Sequence, residues 1–262
     1  MIKNFLRAEP GLKESWIILL LLTAGQAALS FAAGLPMILT YVLAYIPSLA
    51  YVYWLGARNR ASVTRRQAPQ EPRVLLAAVP VAVLVELAFI ILISALTSWM
   101  KTPQWYDDML LRMYTDELLP TAVTVCAAAP VLEELLFRRI ILRGLVRRMP
   151  EWKAVAWSSL LFAVAHLNPW QAVPAFAMGC LFGWIYVRTG RWWSVVLMHA
   201  VNNALTVLVV ALSGPDAALA PLDRLLGPDL YYILLTVSAV VSVFGLWLIR
   251  RITSGTNKTN IQ

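Results

Sequence analysis

Three apolar stretches of the chain carry side chains that hydrocarbon excludes. Glu133 and Glu134 stand in AAAPVLEELLFRR, His166 in LLFAVAHLNPW and His199 in SVVLMHAVNNAL. A charged group near the bilayer centre costs roughly 2.5–3.5 kcal/mol on insertion scales, so ionisable sites on three separate segments point to one shared, wet pocket. The chain has two histidines, and both lie in such segments. A carboxylate beside an imidazole holds and deprotonates a water. A second imidazole with an amide stabilises the oxyanion that forms when that water attacks a carbonyl. The chemistry open to such a set is peptide hydrolysis within a membrane.

Helical spacing sorts these residues into faces. Glu134 and Arg138 are four apart and share a face, so Arg138 can neutralise Glu134, while Glu133 is rotated by about 100° towards the pocket. Pro130 lacks an N–H and opens the helix locally. Phe162 and His166 are four apart, as are His199 and Asn203, with Asn202 one step around. Plainer readings stand beside these: both glutamates paired with Arg138 and Arg139 near the interface, His166 as a hydrogen-bonded core histidine, and the asparagines as polar glue between helices. The HExxH helix face of a zinc protease is missing. Glu133, His166 and His199, from three helices, still form an alternative zinc-ligand set with an open position, although a metal-free mechanism is favoured.

The elements that must position these groups are transmembrane helices. Of the 262 residues, 60% are hydrophobic and 14% charged, against about 25% charged in soluble domains, and the mean hydropathy is +0.69. The net charge of +8 does not indicate nucleic-acid binding, because Lys and Arg fall in short clusters between apolar stretches and leave no basic face. Cys126 and Cys180 lie within apolar stretches at no metal-ligand spacing and read as small buried residues. A crossing needs about 20 apolar residues, which predicts an all-α polytopic bundle of eight spans at 15–33, 37–56, 74–99, 121–142, 154–168, 171–187, 193–212 and 230–249. The first reads as a retained helix rather than a cleaved signal, since Glu9, Pro10 and Glu14 precede it. The fifth is short and broken by Asn168 and Pro169, so the fifth and sixth form either two spans or one tight hairpin dipping from one side.

Charge orients the bundle. Lys3, Arg7 and Lys13 precede the first span; Arg58, Arg60, Arg65, Arg66 and Arg73 follow the second; Arg143, Arg147, Arg148 and Lys153 follow the fourth; Arg188 and Arg191 follow the sixth; Arg250, Arg251 and Lys258 follow the eighth. The intervening gaps hold Asp107, Asp108, Asp116 and Glu117, then no charge, then Asp216, Asp223 and Asp229 against Arg224. Both termini are therefore expected in the cytoplasm. Residues 102–119 read as an amphipathic helix on the outer interface, and the tail from Thr253 as polar and disordered. The chain is one membrane domain: 1–120 with three spans and the amphipathic segment, 121–212 as the catalytic core, 213–250 with the last span, and 251–262 as tail. At 1.5 Å per residue, Glu133 lies about 8 Å in from Arg138, His199 about 12 Å in from Arg191 and His166 about 19 Å in from Lys153. Those depths agree only if the fifth helix tilts or starts below the interface.

EELLFR at 133–138, FAVAH at 162–166 and HAVNN at 199–203 resemble the EExxxR, FxxxH and HxxxN motifs of the CAAX protease and bacteriocin-processing family, also called Abi, which includes the type II CAAX prenyl endopeptidases. The three occur in the family's order and cover 120–212. The resemblance implies an intramembrane endopeptidase in which Glu133 and His166 activate water, His199 and Asn203 form the oxyanion hole, and Glu134 and Arg138 support them. It implies membrane lipid and a peptide or protein C-terminus as partners, prenylated or bacteriocin-like, and a peptide delivered from the cytoplasmic side. Two other classes fit parts of the sequence: a proton-coupled transporter, supported by Glu86 in span three, and a non-catalytic immunity protein that keeps the family's shape.

Overall fold

The computed structural model describes residues 2–31, 34–59 and 71–254, all helix and connecting turns, with no strand among them. Ten helices carry the architecture: α1 (Ile2–Arg7), α2 (Leu12–Leu29), α3 (Met37–Arg58), α4 (Pro72–Thr97), α5 (Gln104–Thr115), α6 (Leu118–Leu145), α7 (Glu151–Val164), α8 (Pro169–Thr189), α9 (Trp192–Ser213) and α10 (Pro228–Ser254). Seven of them, α2, α3, α4, α6, α8, α9 and α10, are long and apolar enough to cross a membrane. The protein is an integral membrane helical bundle. The arginines at 60, 65 and 66 lie outside the described residues. The tail expected to be disordered from Thr253 is helical as far as Ser254, and the rest of it also lies outside them.

The fifth expected span corresponds to α7, which is shorter than the other seven. Helix α7 has 14 residues, about 21 Å of rise against a hydrocarbon core of about 30 Å. It stops because the next helix starts. Asn168 accepts a hydrogen bond from the Gln171 N–H at 2.8 Å as N-cap, and Pro169 takes the first position of α8, so the chain cannot continue as one helix. Helices α7 and α8 pack along each other as a hairpin. Gly179 faces the Ser159 side chain, where a Cβ would sit 3.1 Å from Ser159 Cβ. Small residues let helix backbones approach this closely in lipid, where packing replaces the hydrophobic drive between helices.

The expected amphipathic segment is present as α5, with Tyr106 buried and Trp105 60% exposed. Burial pushes the Tyr106 phenol up to about 12. The helix is held by aromatic contact of Trp105 and Tyr106 with Trp170 at the start of α8, and by the Trp170 indole donating to Lys101 O at 2.8 Å. Below the bundle's midpoint one core joins α2, α3, α6, α7 and α8, with Ile18, Leu22, Leu136, Phe137, Ile141 and Leu161 all fully buried or nearly so. A second core joins α4, α8, α9 and α10.

Arg138 is 0% exposed in the first core. It is not the interfacial marker from which the depth of Glu133 was reckoned.

Candidate active site

Helix α6 departs from α geometry on both sides of its glutamates. Thr124–Ala128 and Leu135–Leu142 are wound as π-helix and enclose the α-helical Ala129–Glu134. Such π segments are rare and recur at functional sites. In π register the carbonyl of Val125 would bond the N–H of residue 130, and Pro130 has none. Asn203 on α9 supplies the missing donor: its Nδ2 reaches Val125 O at 2.6 Å. Asn202 donates to Asn203 Oδ1 at 3.0 Å and so fixes the amide's orientation.

Glu134 turns inward and is 0% exposed. Its Oε2 meets Arg138 Nε at 3.1 Å as an ion pair without hydrogen-bond alignment, and its Oε1 meets His199 Nδ1 at 2.9 Å. Arg138 is further held by the face of Phe162, 4.4 Å from ring centroid to guanidinium carbon, an attraction that strengthens where water is excluded. A carboxylate facing Nδ1 favours the tautomer with its proton there. His199 Nε2 then points at Glu133 Oε2, 3.7 Å away. The ring of His199 packs between Phe162 and Phe182.

Glu133, on the other nitrogen of the same ring, lines a cavity of about 780 Å³ together with Tyr41, Tyr45, His166, His199 and Asn203. Tyr41 donates a short hydrogen bond to Glu133 Oε1 and sits 3.2 Å, hydroxyl to hydroxyl, from Tyr45. His166 lies just past the end of α7. Its Nδ1 bonds Phe162 O at 2.9 Å; a carbonyl only accepts, so Nδ1 carries the proton and Nε2 keeps its lone pair. The next residue, Leu167, has φ +57°, a left-handed conformation that costs a non-glycine residue roughly 1–2 kcal/mol. Strain of this kind collects where geometry serves function.

The structure thus brings Glu133, His166, His199 and Asn203 around one hollow, with Glu134 and Arg138 behind them. The imidazole directly against Glu133 is that of His199, 3.7 Å away, and Glu133 and His166 share the cavity. Arg139 is not part of the cluster and lies against the Trp192 ring. Sequence reading missed Tyr41 and Tyr45. Their only trace was an i, i+4 tyrosine pair on an apolar helix. Among the described residues no group of three His, Cys, Asp or Glu is placed to hold a metal ion.

Fold and site together define a membrane-embedded helical protein with a buried glutamate–histidine centre. Residues 115–205 match the family model Type II CAAX prenyl endopeptidase Rce1-like, and the resemblance carried by the three motifs is borne out over that segment. The chain is 30% identical over 94 residues to YdiL of Bacillus subtilis (strain 168), named as a membrane peptidase. It is 34% identical over 100 residues to the membrane-embedded CAAX protease MroQ of Staphylococcus aureus (strain USA300). Each match covers 36% of this chain, and 38% and 40% of the respective relative, so the chain spans about two fifths of the curated relatives it matches. No solved structure gives a significant match.

Proposed function

We propose that this protein is an intramembrane endopeptidase that hydrolyses a peptide bond with a water activated by Glu133. The observation that carries this reading is the different setting of two adjacent glutamates on either nitrogen of His199: Glu134 fully buried in an ion pair and a histidine contact, Glu133 open to the cavity. The two environments separate a charge-holding carboxylate from a proton-accepting one. Tyr41 orients the Glu133 carboxylate, whose other oxygen takes the water's proton as the water attacks the carbonyl carbon. Asn203 has a second amide hydrogen beyond the one given to Val125 O, and His199, held by Glu134 at Nδ1, becomes an Nε2–H donor by taking the water's proton from the neighbouring Glu133 Oε2. These are the donors for the oxyanion. As the C–N bond breaks the same proton passes from the Glu133–His199 pair to the departing amine nitrogen, while His166, which shares the cavity, completes the setting of the water. The relatives are bacterial, and we place this protein in a bacterial cytoplasmic membrane. Its substrate is a peptide or protein C-terminus, of the prenylated or bacteriocin-like kinds that the family resemblance includes.

The test is cleavage of a quenched-fluorescence peptide library by purified protein in detergent. Glu133→Ala, His166→Ala and His199→Ala are each expected to abolish turnover, and Cys126→Ala to retain it. Retained turnover in any of the three removes that residue from the mechanism. Metal content, measured on the same preparation with and without chelator, decides the chemistry: activity lost to chelator and restored by zinc would replace glutamate activation with metal activation.

A further inference from the structure

We infer that the cavity is served from the non-cytoplasmic face, and that the substrate is the segment of a membrane-inserted peptide emerging on that face. This deepens the endopeptidase reading and rests on it, and it reverses the cytoplasmic delivery expected from the sequence. The rim of the cavity comes from one end of the bundle. Gln26 and Ser30 lie in the last turns of α2, Leu110 and Met113 on α5, Gln171 in the first turn of α8 and Thr206 in the far half of α9. Each lies towards a connection that is acidic or uncharged: Gly34 to Pro36, the stretch with Asp107, Asp108, Asp116 and Glu117, Leu167 to Pro169, and the stretch beginning at Asp216. By the excess of Lys and Arg on cytoplasmic loops, that end faces away from the cytoplasm. The Trp105, Tyr106 and Trp170 cluster sits at the same end, where an aromatic belt marks the interface.

The basic end is closed. Beyond Glu133 on that side, Leu136, Phe137, Arg138, Ile140, Ile141 and Leu142 are each at most 1% exposed. The N-terminal segment lies across it: Arg143 donates to Ala8 O at 2.9 Å, Arg147 pairs with Glu9, and Ala8 is itself 0% exposed. A peptide presented at the cytoplasmic surface would have to pass through packed core to reach Glu133, so of the two substrate kinds named above this inference keeps the bacteriocin-like one and sets the prenylated C-terminus aside. The open end, in contrast, is furnished for a backbone. Gln26 Oε1 is buried and has no hydrogen-bond partner among the described residues, an acceptor suited to the N–H of an extended peptide, since a buried acceptor left unmade is costly.

The experiment uses the full chain with Cys126 and Cys180 replaced by alanine and one new cysteine at a time. Ser30→Cys and Thr206→Cys probe the rim; Trp152→Cys, at a position 69% exposed on the basic side, is the control. A membrane-impermeant maleimide added to intact cells is expected to label the two rim cysteines, and the control only after permeabilisation. The opposite pattern, or rim cysteines that react under neither condition, overturns the proposal. Sealed right-side-out and inside-out vesicles are then given the same peptide library outside, with at least tenfold faster cleavage expected in the right-side-out set. Faster cleavage in the inside-out set overturns the proposal whatever the labelling. Cleavage by neither set sinks the endopeptidase reading, while the labelling still decides which face the cavity opens to.

Discussion

At the scale of single residues, the centre is a continuous line of polar contacts: Arg138, Glu134, His199, Glu133, then the Tyr41 hydroxyl. Each member fixes the next, so the outermost carboxylate is presented to the cavity in one orientation. Removing the last donor tests this without disturbing packing. A hydrogen bond to a charged group is worth about 1.5–3 kcal/mol, so Tyr41→Phe is expected to lower kcat by roughly ten- to hundredfold, with KM little changed. Steady-state cleavage kinetics read this directly, and an unchanged kcat would show that Tyr41 does not orient Glu133. The four motif residues were legible in the sequence because an acid, two imidazoles and an amide in apolar surroundings are anomalous one residue at a time. Tyr41 was not legible, because its partner is 92 positions away and tyrosine in a membrane helix is no anomaly. Arg138 was misplaced for a related reason: an arginine near the end of an apolar run looks interfacial until its buried partner is known.

At the scale of elements, helix spacing predicted which residues share a face, and hydropathy predicted where helices run, so both survived. What local pattern could not supply was the π winding of α6, which depends on Asn203 from another helix meeting the carbonyl that Pro130 leaves open. Nor could it supply the length of α7: Asn168 and Pro169 announced a break, and the helix ends at Val164, before both. The placement of Tyr41 and Tyr45 depends on how closely α3 approaches α2. Gly25 permits it, because a Cβ there would overlap the carbonyl oxygen of Ala44. Gly25→Ala is expected to destabilise the protein by about 1–3 kcal/mol through overpacking and to reduce cleavage as α3 is displaced. Thermal unfolding in micelles, with activity measured alongside, checks both; a full-strength variant with an unchanged Tm would show that the contact is dispensable.

At the scale of the whole molecule, the acid that favoured a carrier has a different setting. Glu86 is 0% exposed on α4, and neither carboxylate oxygen has a hydrogen-bond partner among the described residues. An unmade buried polar group costs about 1–3 kcal/mol. Glu86→Leu is therefore expected to raise stability by about that amount in unfolding measurements and to leave peptide cleavage intact. Loss of cleavage would bring Glu86 into the working site and reopen the carrier reading. The closed basic end has one more consequence. A well closed towards its basic side obliges both fragments to depart on the side from which the intact chain arrived. The first fragment to linger at the rim blocks the next arrival, so departure of the pieces, rather than bond breaking, becomes the natural governor of the enzyme's pace.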